Sequence, residues 1–154
     1  MTGMKSFRHF GVYGVCERAG KMLVIHKGKG PYTGRYDLPG GRLEDNESLL
    51  KGLEREFMEE TGLSVKANSN LGTFDFFVRY PEESFTHMHH IAVLYAVEII
   101  GNEEPQKLAM FEGQDSLGTE WVDLHLISLD SSSPVAVLAA EWLMSGILPF
   151  AVEY

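Results

Sequence analysis

Apolar residues recur along the chain with two different periods, one typical of strands and one typical of helices. Apolar and aromatic runs predict four longer strands: Phe7 to Glu17, Met22 to His26, Leu71 to Tyr80 and His89 to Ile99. Turn residues separate the first two strands and also the last two, so we expect an opening hairpin and a second, longer hairpin. Shorter extended pieces are expected at Tyr36-Asp37-Leu38 and around Trp121-Val122.

Helical spacing of apolar residues marks two further segments. The first helix is predicted from about Asn46 to Thr61, with Gly62 at the position of a left-handed C-terminal cap. The second is predicted from about Pro134 to Ser145, with Ser133 as the N-terminal cap. Because the chain has no internal repeat and no break in composition, we expect residues 1–154 to form one domain. The expected class is α/β, with two helices covering a mixed sheet.

The composition is that of a folded protein, with 44% apolar residues among 154. The longest apolar run, Ile91 to Val97, has seven residues, far fewer than the ~18 that a membrane-spanning helix needs. The N-terminal residues contain no apolar signal core, so we expect neither a membrane span nor export. The one cysteine, Cys16, fits a reducing cytoplasm and excludes a cysteine-based zinc cluster.

Charge is distributed unevenly along the chain. Residues 1–35 carry a net charge of +6, which leaves −15 for residues 36–154 and −9 for the whole protein. Acidic surface over most of the molecule would repel a phosphodiester backbone, so a long nucleic acid is not expected as a partner. A small anionic ligand near residues 1–35 fits the pattern, although scattered lysines that only maintain solubility fit it as well.

Acidic residues crowd the predicted first helix, and three of them share one edge of it. At 100° per residue, Glu59 and Glu60 lie on either side of Glu56. Carboxylates near the C-terminal end of a helix oppose the helix dipole and repel one another, which destabilises the helix unless a cation binds there. Oxygen ligands favour Mg²⁺ or Mn²⁺. The alternative is a solvated acidic face without a ligand.

The wider pattern around these acids is specific. Gly41 is followed after five residues by Glu47, and after seven more by the run Arg55-Glu56-Phe57-Met58-Glu59-Glu60-Thr61-Gly62-Leu63. This spacing matches the Nudix box at every specified position, so the chain resembles the Nudix hydrolases, including the MutT-like members. The resemblance implies a Nudix-type α/β/α sandwich with a mixed β-sheet and hydrolysis of a diphosphate bond that depends on a divalent metal.

The resemblance also implies roles for particular residues. Three box glutamates and one backbone carbonyl are expected to ligate the metal: Glu56, Glu59, Glu60 and Gly40. Arg55 is expected to orient Glu47 or Glu56 by a charge-assisted hydrogen bond, and either Glu56 or Glu59 is expected to act as the general base. Family members also use an acidic residue from a distant loop, and Glu112 has the matching position, with Asp115 and Glu120 as competitors.

A glycine-rich loop over residues 27–34 precedes the box, and basic residues flank it. Lys27, Lys29 and Arg35 are the candidates for binding substrate phosphates, with solvated surface charges as the alternative. Further along the chain, the histidines of residues 87–90 are expected to be strand-end residues rather than metal ligands, because no third ligand lies near them in the sequence.

The implied activity is a Mg²⁺- or Mn²⁺-dependent hydrolase of a nucleoside diphosphate linked to another moiety. That class includes nucleoside triphosphates, modified nucleotides, nucleotide sugars and dinucleoside polyphosphates. Subclass markers do not choose among them, because Tyr80 and Pro81 favour different subclasses. Two alternatives stay open: a non-catalytic nucleotide-sensing module, and a partner-binding domain with a coincidental acidic helix. The apolar segment 147–152 either packs on the domain or contributes to a homodimer.

Overall fold

The computed structural model describes residues 3–105 and 116–149, which contain eight strands and two helices. The strands are β1 (Ser6–Val15), β2 (Glu17–Arg18), β3 (Lys21–Lys27), β4 (Tyr36–Asp37), β5 (Gly40–Arg42), β6 (Val65–Arg79), β7 (His87–Ile99) and β8 (Ser116–Asp123). The helices are α1 (Leu49–Thr61) and α2 (Pro134–Ser145), and a short 3₁₀ turn, Leu124–Leu126, precedes α2. No helix among the described residues is long and apolar enough to span a membrane.

The strands divide into two sheets rather than forming one. The first sheet has the order β5-β1-β7-β6, and the second has the order β2-β3-β4 with β8 paired to β3. The predicted mixed character is confirmed, because β1 runs parallel to β7 while its other neighbour, β5, is antiparallel. The predicted long hairpin is also confirmed as the antiparallel pair of β6 and β7.

The predicted opening hairpin is confirmed only at its turn, where Glu17 pairs antiparallel with Met22, and is wrong along the rest of the first strand. Only the two-residue β2 pairs with β3, whereas β1 pairs with β5 and β7 in the other sheet. Residues 11–15 at the end of β1 are all buried, and a strand that is covered on both faces lies in the interior of a sheet with a neighbour at each edge. The chain passes from one sheet to the other at Cys16.

Local sequence signals account for the helix ends. Helix α1 begins at Leu49, later than predicted, because Asn46 has a φ of 63° and the Ser48 side chain caps the helix by accepting from the Lys51 N–H. It ends at Gly62, which adopts the left-handed conformation with a φ of 75°. Helix α2 has its predicted bounds, and the Ser133 side chain caps it by accepting from the Ala136 N–H.

Helix α1 packs mainly against the first sheet, whereas α2 packs against the 3₁₀ turn and β4 of the second sheet. Leu53 and Phe57 of α1 pack in one core cluster with Val12 of β1. The next residue along β1, Tyr13, lies in the other cluster, which contains the buried face of α2. Successive residues of a strand point to opposite faces, so the first sheet lies between two apolar layers.

Two expectations lie wholly or partly outside the described residues. Glu112 and Asp115 belong to the segment 106–115, and the end of the apolar tail belongs to 150–154. Of the described part of that tail, Ile147 is 72% exposed. The homodimer therefore stays a prediction.

Candidate active site

Arg55 lies at the centre of the carboxylate cluster. Its Nε and Nη2 donate to the two oxygens of Glu47 at 2.7 and 2.8 Å, a bidentate arrangement. Its Nη1 donates to Glu56 at 3.1 Å and to Glu59 at 3.3 Å, and Nη2 also donates to the Arg42 carbonyl oxygen. One guanidinium therefore fixes three carboxylates relative to β5.

The contact with Arg55 changes the pKa of Glu47. The Arg55 hydrogen bonds, with help from the Glu44 backbone N–H, lower the pKa of the Glu47 carboxyl to about 2. The same carboxylates raise the pKa of the Arg55 guanidinium above its ordinary value. Both groups are consequently charged throughout the physiological pH range.

Glu60 differs from its neighbours because it points inward. It is 7% exposed, and its Oε1 accepts a 2.8 Å hydrogen bond from the Gly40 N–H. Burial raises the pKa of the Glu60 carboxyl well above its ordinary value, although the Gly40 N–H and the charge of Lys27 favour the ionised form. The three helix carboxylates thus have different environments: Glu60 is buried, Glu56 is largely covered and Glu59 is exposed.

Two glycines allow β5 to approach the cluster closely. A Cβ atom at Gly41 would lie 2.8 Å from the carboxyl carbon of Glu56. At Gly40, which has a φ of 149°, a Cβ atom would lie 2.1 Å from the Val12 carbonyl oxygen. A side chain at either position would displace a carboxylate or the neighbouring strand.

The donor chemistry of this cluster fits a hard divalent cation. Carboxylate and carbonyl oxygens are the preferred ligands of Mg²⁺ and Mn²⁺, and Gly41 leaves the space that the Glu56 carboxylate occupies. Within residues 3–105 and 116–149, no three acidic, histidine or cysteine side chains already converge as an enclosed metal site. Instead, Arg55 donates a hydrogen bond to Glu56 and another to Glu59, which holds the two carboxylates in place.

A cavity of about 200 Å³ lies within electrostatic reach of the box carboxylates, because the charges of Lys27 and Asp37 in its lining act on Glu60. Its lining includes Lys27 and Lys29, whereas Arg35 lies outside it. Tyr13 lines the cavity and pairs with Gly40 across β1 and β5, so the cavity and the carboxylates are separated by one strand pair. The structure therefore brings two of the three basic candidates to the same place.

Asp37 is a buried carboxyl in the cavity lining. It is 3% exposed, and its Oδ1 accepts hydrogen bonds from the Leu38 N–H at 2.8 Å and from the Ser133 hydroxyl at 2.6 Å. Burial raises the pKa of Asp37, while Lys27 and these two donors act in the opposite direction. The sequence predicts only that Asp37 belongs to a short strand, because its buried contact is with the distant Ser133.

His90 is a second cavity residue that sequence reasoning missed as a functional candidate. It is 1% exposed and lies between the hydroxyls of Tyr13 and Tyr32, both at 2.7 Å. The only signal in the sequence was the run of histidines at 87–90, which does not reveal which of them faces inward.

Glu120, a competitor of Glu112, lies 3.3 Å from His26 Nε2 and accepts from the Tyr36 hydroxyl at 3.3 Å.

Comparison with known proteins finds relatives of this chain. The chain is 32% identical over 114 residues to the ADP-ribose pyrophosphatase of Methanocaldococcus jannaschii, which covers 74% of this chain and 61% of that relative. It is 31% identical over 122 residues to the low-salt glycan biosynthesis protein Agl8 of Haloferax volcanii, which covers 75% of this chain and 78% of the relative. The chain thus spans less than two thirds of the first relative's length.

A solved structure and a family model agree with these similarities. The MutT NUDIX hydrolase from Burkholderia pseudomallei superposes with a TM-score of 0.68 at 22% identity, over 88% of this chain and 97% of that one. At this identity the likeness concerns the fold, and it confirms the expected α/β/α sandwich. The NUDIX domain family model matches residues 5–143. With most of its length covered by that match, this chain belongs to the NUDIX domain family.

Proposed function

We propose that this chain hydrolyses the diphosphate bond of a nucleoside diphosphate linked to another moiety, with Mg²⁺ or Mn²⁺ as cofactor. The observation that carries the proposal is the Arg55-centred carboxylate cluster beside a cavity lined by two lysines. The name of the Methanocaldococcus jannaschii relative, ADP-ribose pyrophosphatase, supports this substrate class. A cytoplasmic location is part of the proposal, on the ground that the sequence has one cysteine.

The size of the cavity indicates which part of the substrate lies in the cavity and which part lies at the carboxylate cluster. At about 200 Å³, it is smaller than the ~300–1,000 Å³ typical of pockets that hold a whole small molecule. It would therefore hold one end of the substrate, with the diphosphate directed toward the carboxylates. Lys27 and Lys29 would provide positive charge for the phosphates.

The carboxylates supply the base of the reaction. Water attacks a phosphorus atom, its oxygen forms the new P–O bond, and the P–O bond to the departing phosphate group breaks. Glu56 or Glu59 would accept the water proton, and Arg55 positions both by hydrogen bonds. Glu112 remains a further candidate base, and it lies outside the described residues.

Glu56, Glu59, Glu60 and the Gly40 carbonyl would hold the divalent ion. When bound, the ion neutralises phosphate charge and lowers the pKa of the attacking water. The buried Glu60 would contribute little net charge while it is protonated, since burial raises its pKa. Its ionisation would therefore be coupled to metal binding.

The proposal is tested by product analysis on a substrate panel. The protein is incubated with ADP-ribose, 8-oxo-dGTP, a nucleotide sugar and a dinucleoside polyphosphate, with Mg²⁺ or Mn²⁺ and separately with EDTA. Glu59→Gln removes one charge of the cluster, and Glu54→Gln removes the same charge from the same helix, where Glu54 pairs with Lys51 at 3.6 Å. Both variants keep the size of the side chain.

We expect turnover of one substrate class that is abolished by EDTA. Glu59→Gln is expected to lower kcat by at least ~100-fold, whereas Glu54→Gln keeps it within ~3-fold. Metal-dependent binding without turnover would favour the nucleotide-sensing module. Equal activity in the two variants would exclude Glu59 from the chemistry.

A further inference from the structure

His90 occupies an unusual position at the wall of the cavity. Its ring lies between two phenols from distant parts of the chain: Tyr13 of β1 and Tyr32 of the glycine-rich loop. The Tyr13 hydroxyl is 2.7 Å from Nε2, and the Tyr32 hydroxyl is 2.7 Å from Nδ1. Both ring nitrogens are thus engaged by residues that line the same cavity.

The protonation state of this imidazole follows from its surroundings. Burial lowers the pKa of His90 to about 3, and the charges of His9, Lys27 and His89 act in the same direction. The ring is therefore neutral at physiological pH, with one nitrogen that donates and one that accepts.

Counting hydrogens limits how the three groups can bond. Tyr13, His90 and Tyr32 carry three polar hydrogens, and the two short contacts use two of them. If Nε2 carries the hydrogen, the Tyr13 hydroxyl keeps its own to donate elsewhere. If Nδ1 carries the hydrogen, Tyr32 is the phenol that accepts from the ring and keeps its own hydrogen. In either tautomer, one phenol accepts a hydrogen bond from the ring N–H and keeps its own hydrogen to donate, and His90 holds that phenol in place through this contact.

We propose that His90 is a positioning residue for substrate specificity: it holds the hydroxyls of Tyr13 and Tyr32 so that one of them donates a hydrogen bond to the base of a bound nucleotide. The chemical class that fits is a heterocycle with a carbonyl oxygen or ring nitrogen at its edge. This inference rests on the proposed function, because it assigns the nucleoside end of the substrate to the cavity.

Nearby groups in the cavity complement such a ligand. The buried Asp37 carboxyl has its Oδ1 engaged by Leu38 and Ser133, and the hydrogen bonds of the described residues do not include its Oδ2. This second oxygen can accept from an N–H of the same heterocycle. Met88 and Phe7 provide apolar contacts along the lining.

The test compares His90→Phe, which keeps a ring but neither nitrogen, with His90→Gln, which keeps one donor and one acceptor. Steady-state kinetics are measured with ADP-ribose and 8-oxo-dGTP, and binding of AMP, GMP and ribose 5-phosphate is measured by calorimetry. Melting temperatures report whether each variant is folded. Tyr13→Phe and Tyr32→Phe remove one hydroxyl each and leave the imidazole in place.

We expect His90→Phe to raise KM at least ~10-fold with kcat within ~3-fold of the original protein, and His90→Gln to recover most of the loss. The preference for AMP or GMP over ribose 5-phosphate should decrease in His90→Phe. At least one tyrosine variant should reproduce the rise in KM. This split between KM and kcat is not expected of a residue that only stabilises the fold.

Several results would overturn the proposal. They are an unchanged KM in His90→Phe, a fall in kcat alone, or a His90→Gln variant as defective as His90→Phe. If His90→Phe does not fold, two tyrosine variants with unchanged KM and unchanged nucleotide binding would have the same meaning. If the original protein hydrolyses nothing, the proposed function fails, and nucleotide binding by the same variants still decides the role of His90.

Discussion

At the scale of single residues, the site depends on how one guanidinium is shared. Arg55 makes a bidentate contact with Glu47 and further contacts with Glu56 and Glu59. A planar fork of five N–H donors can reach all of them at once, whereas an ammonium group cannot. The resemblance to the Nudix hydrolases implied the contact of Arg55 with Glu47 or Glu56, and all three residues lie in the same local motif.

Arg55→Lys therefore tests geometry at constant charge. We expect kcat/KM to fall by at least ~10-fold, since charge-assisted hydrogen bonds contribute about 1.5–3 kcal/mol each. Arg79→Lys, at an exposed position of β6, is the matched control and should have nearly the original activity. Steady-state kinetics with the substrate found in the panel measure both. Equal activity in the two variants would show that the guanidinium geometry is not needed.

His90 predicts a pH effect on stability that is separate from catalysis. Its pKa is lowered to about 3 by burial, whereas an unfolded histidine titrates near ~6.5. Between these values the unfolded state binds more protons, so the free energy of unfolding falls as the pH is lowered from about 6.5 toward about 3.

Urea unfolding at several pH values between about 7 and 5 measures this effect, with His90→Gln as the non-titrating reference. The difference in free energy of unfolding between the two proteins should decrease by up to ~1.4 kcal/mol per pH unit below about pH 6.5. Parallel stability profiles for the two proteins would mean that His90 is not held neutral in the folded state.

At the scale of elements, both helices have a serine as N-terminal cap, but the two serines have different surroundings. Ser48 caps α1 at an exposed position, whereas Ser133 is fully buried where it caps α2 and also donates to Asp37 at 2.6 Å. Ser48→Ala should lower the free energy of unfolding by ~1 kcal/mol. Ser133→Ala should cost a further ~1–3 kcal/mol, because the buried Asp37 carboxyl loses a donor. Urea denaturation compares them, and equal losses would contradict this account.

The helices also show what the sequence can predict. Caps and glycine stops are local, so the C-terminal end of α1 and both ends of α2 followed from neighbouring residues. The pairing of β1 with β7 was missed, because it joins residues about eighty positions apart and no local pattern encodes it. The same holds for the contact of His90 with Tyr13, which depends on that pairing.

At the scale of the whole molecule, the fold brings together a carboxylate cluster and a lysine-lined cavity from separate parts of the chain. The acidic cluster comes from the box, and the lysines of the cavity come from the basic segment 1–35. The charge asymmetry of the sequence fitted both an anionic ligand near residues 1–35 and solvated lysines, and only the fold places Lys27 and Lys29 on one cavity and leaves Arg35 outside it. A diphosphate held between them would join both regions.

The most direct test of metal-dependent hydrolysis at this cluster is the hydrolysis of the best panel substrate in ¹⁸O-labelled water with Mg²⁺, followed by mass spectrometry of the products. We expect one ¹⁸O atom in one of the two phosphate-containing products, with label incorporation lost in Glu59→Gln and retained in Glu54→Gln. Products without label, or the same labelling rate in both variants, would contradict water attack assisted by the Arg55-centred carboxylates.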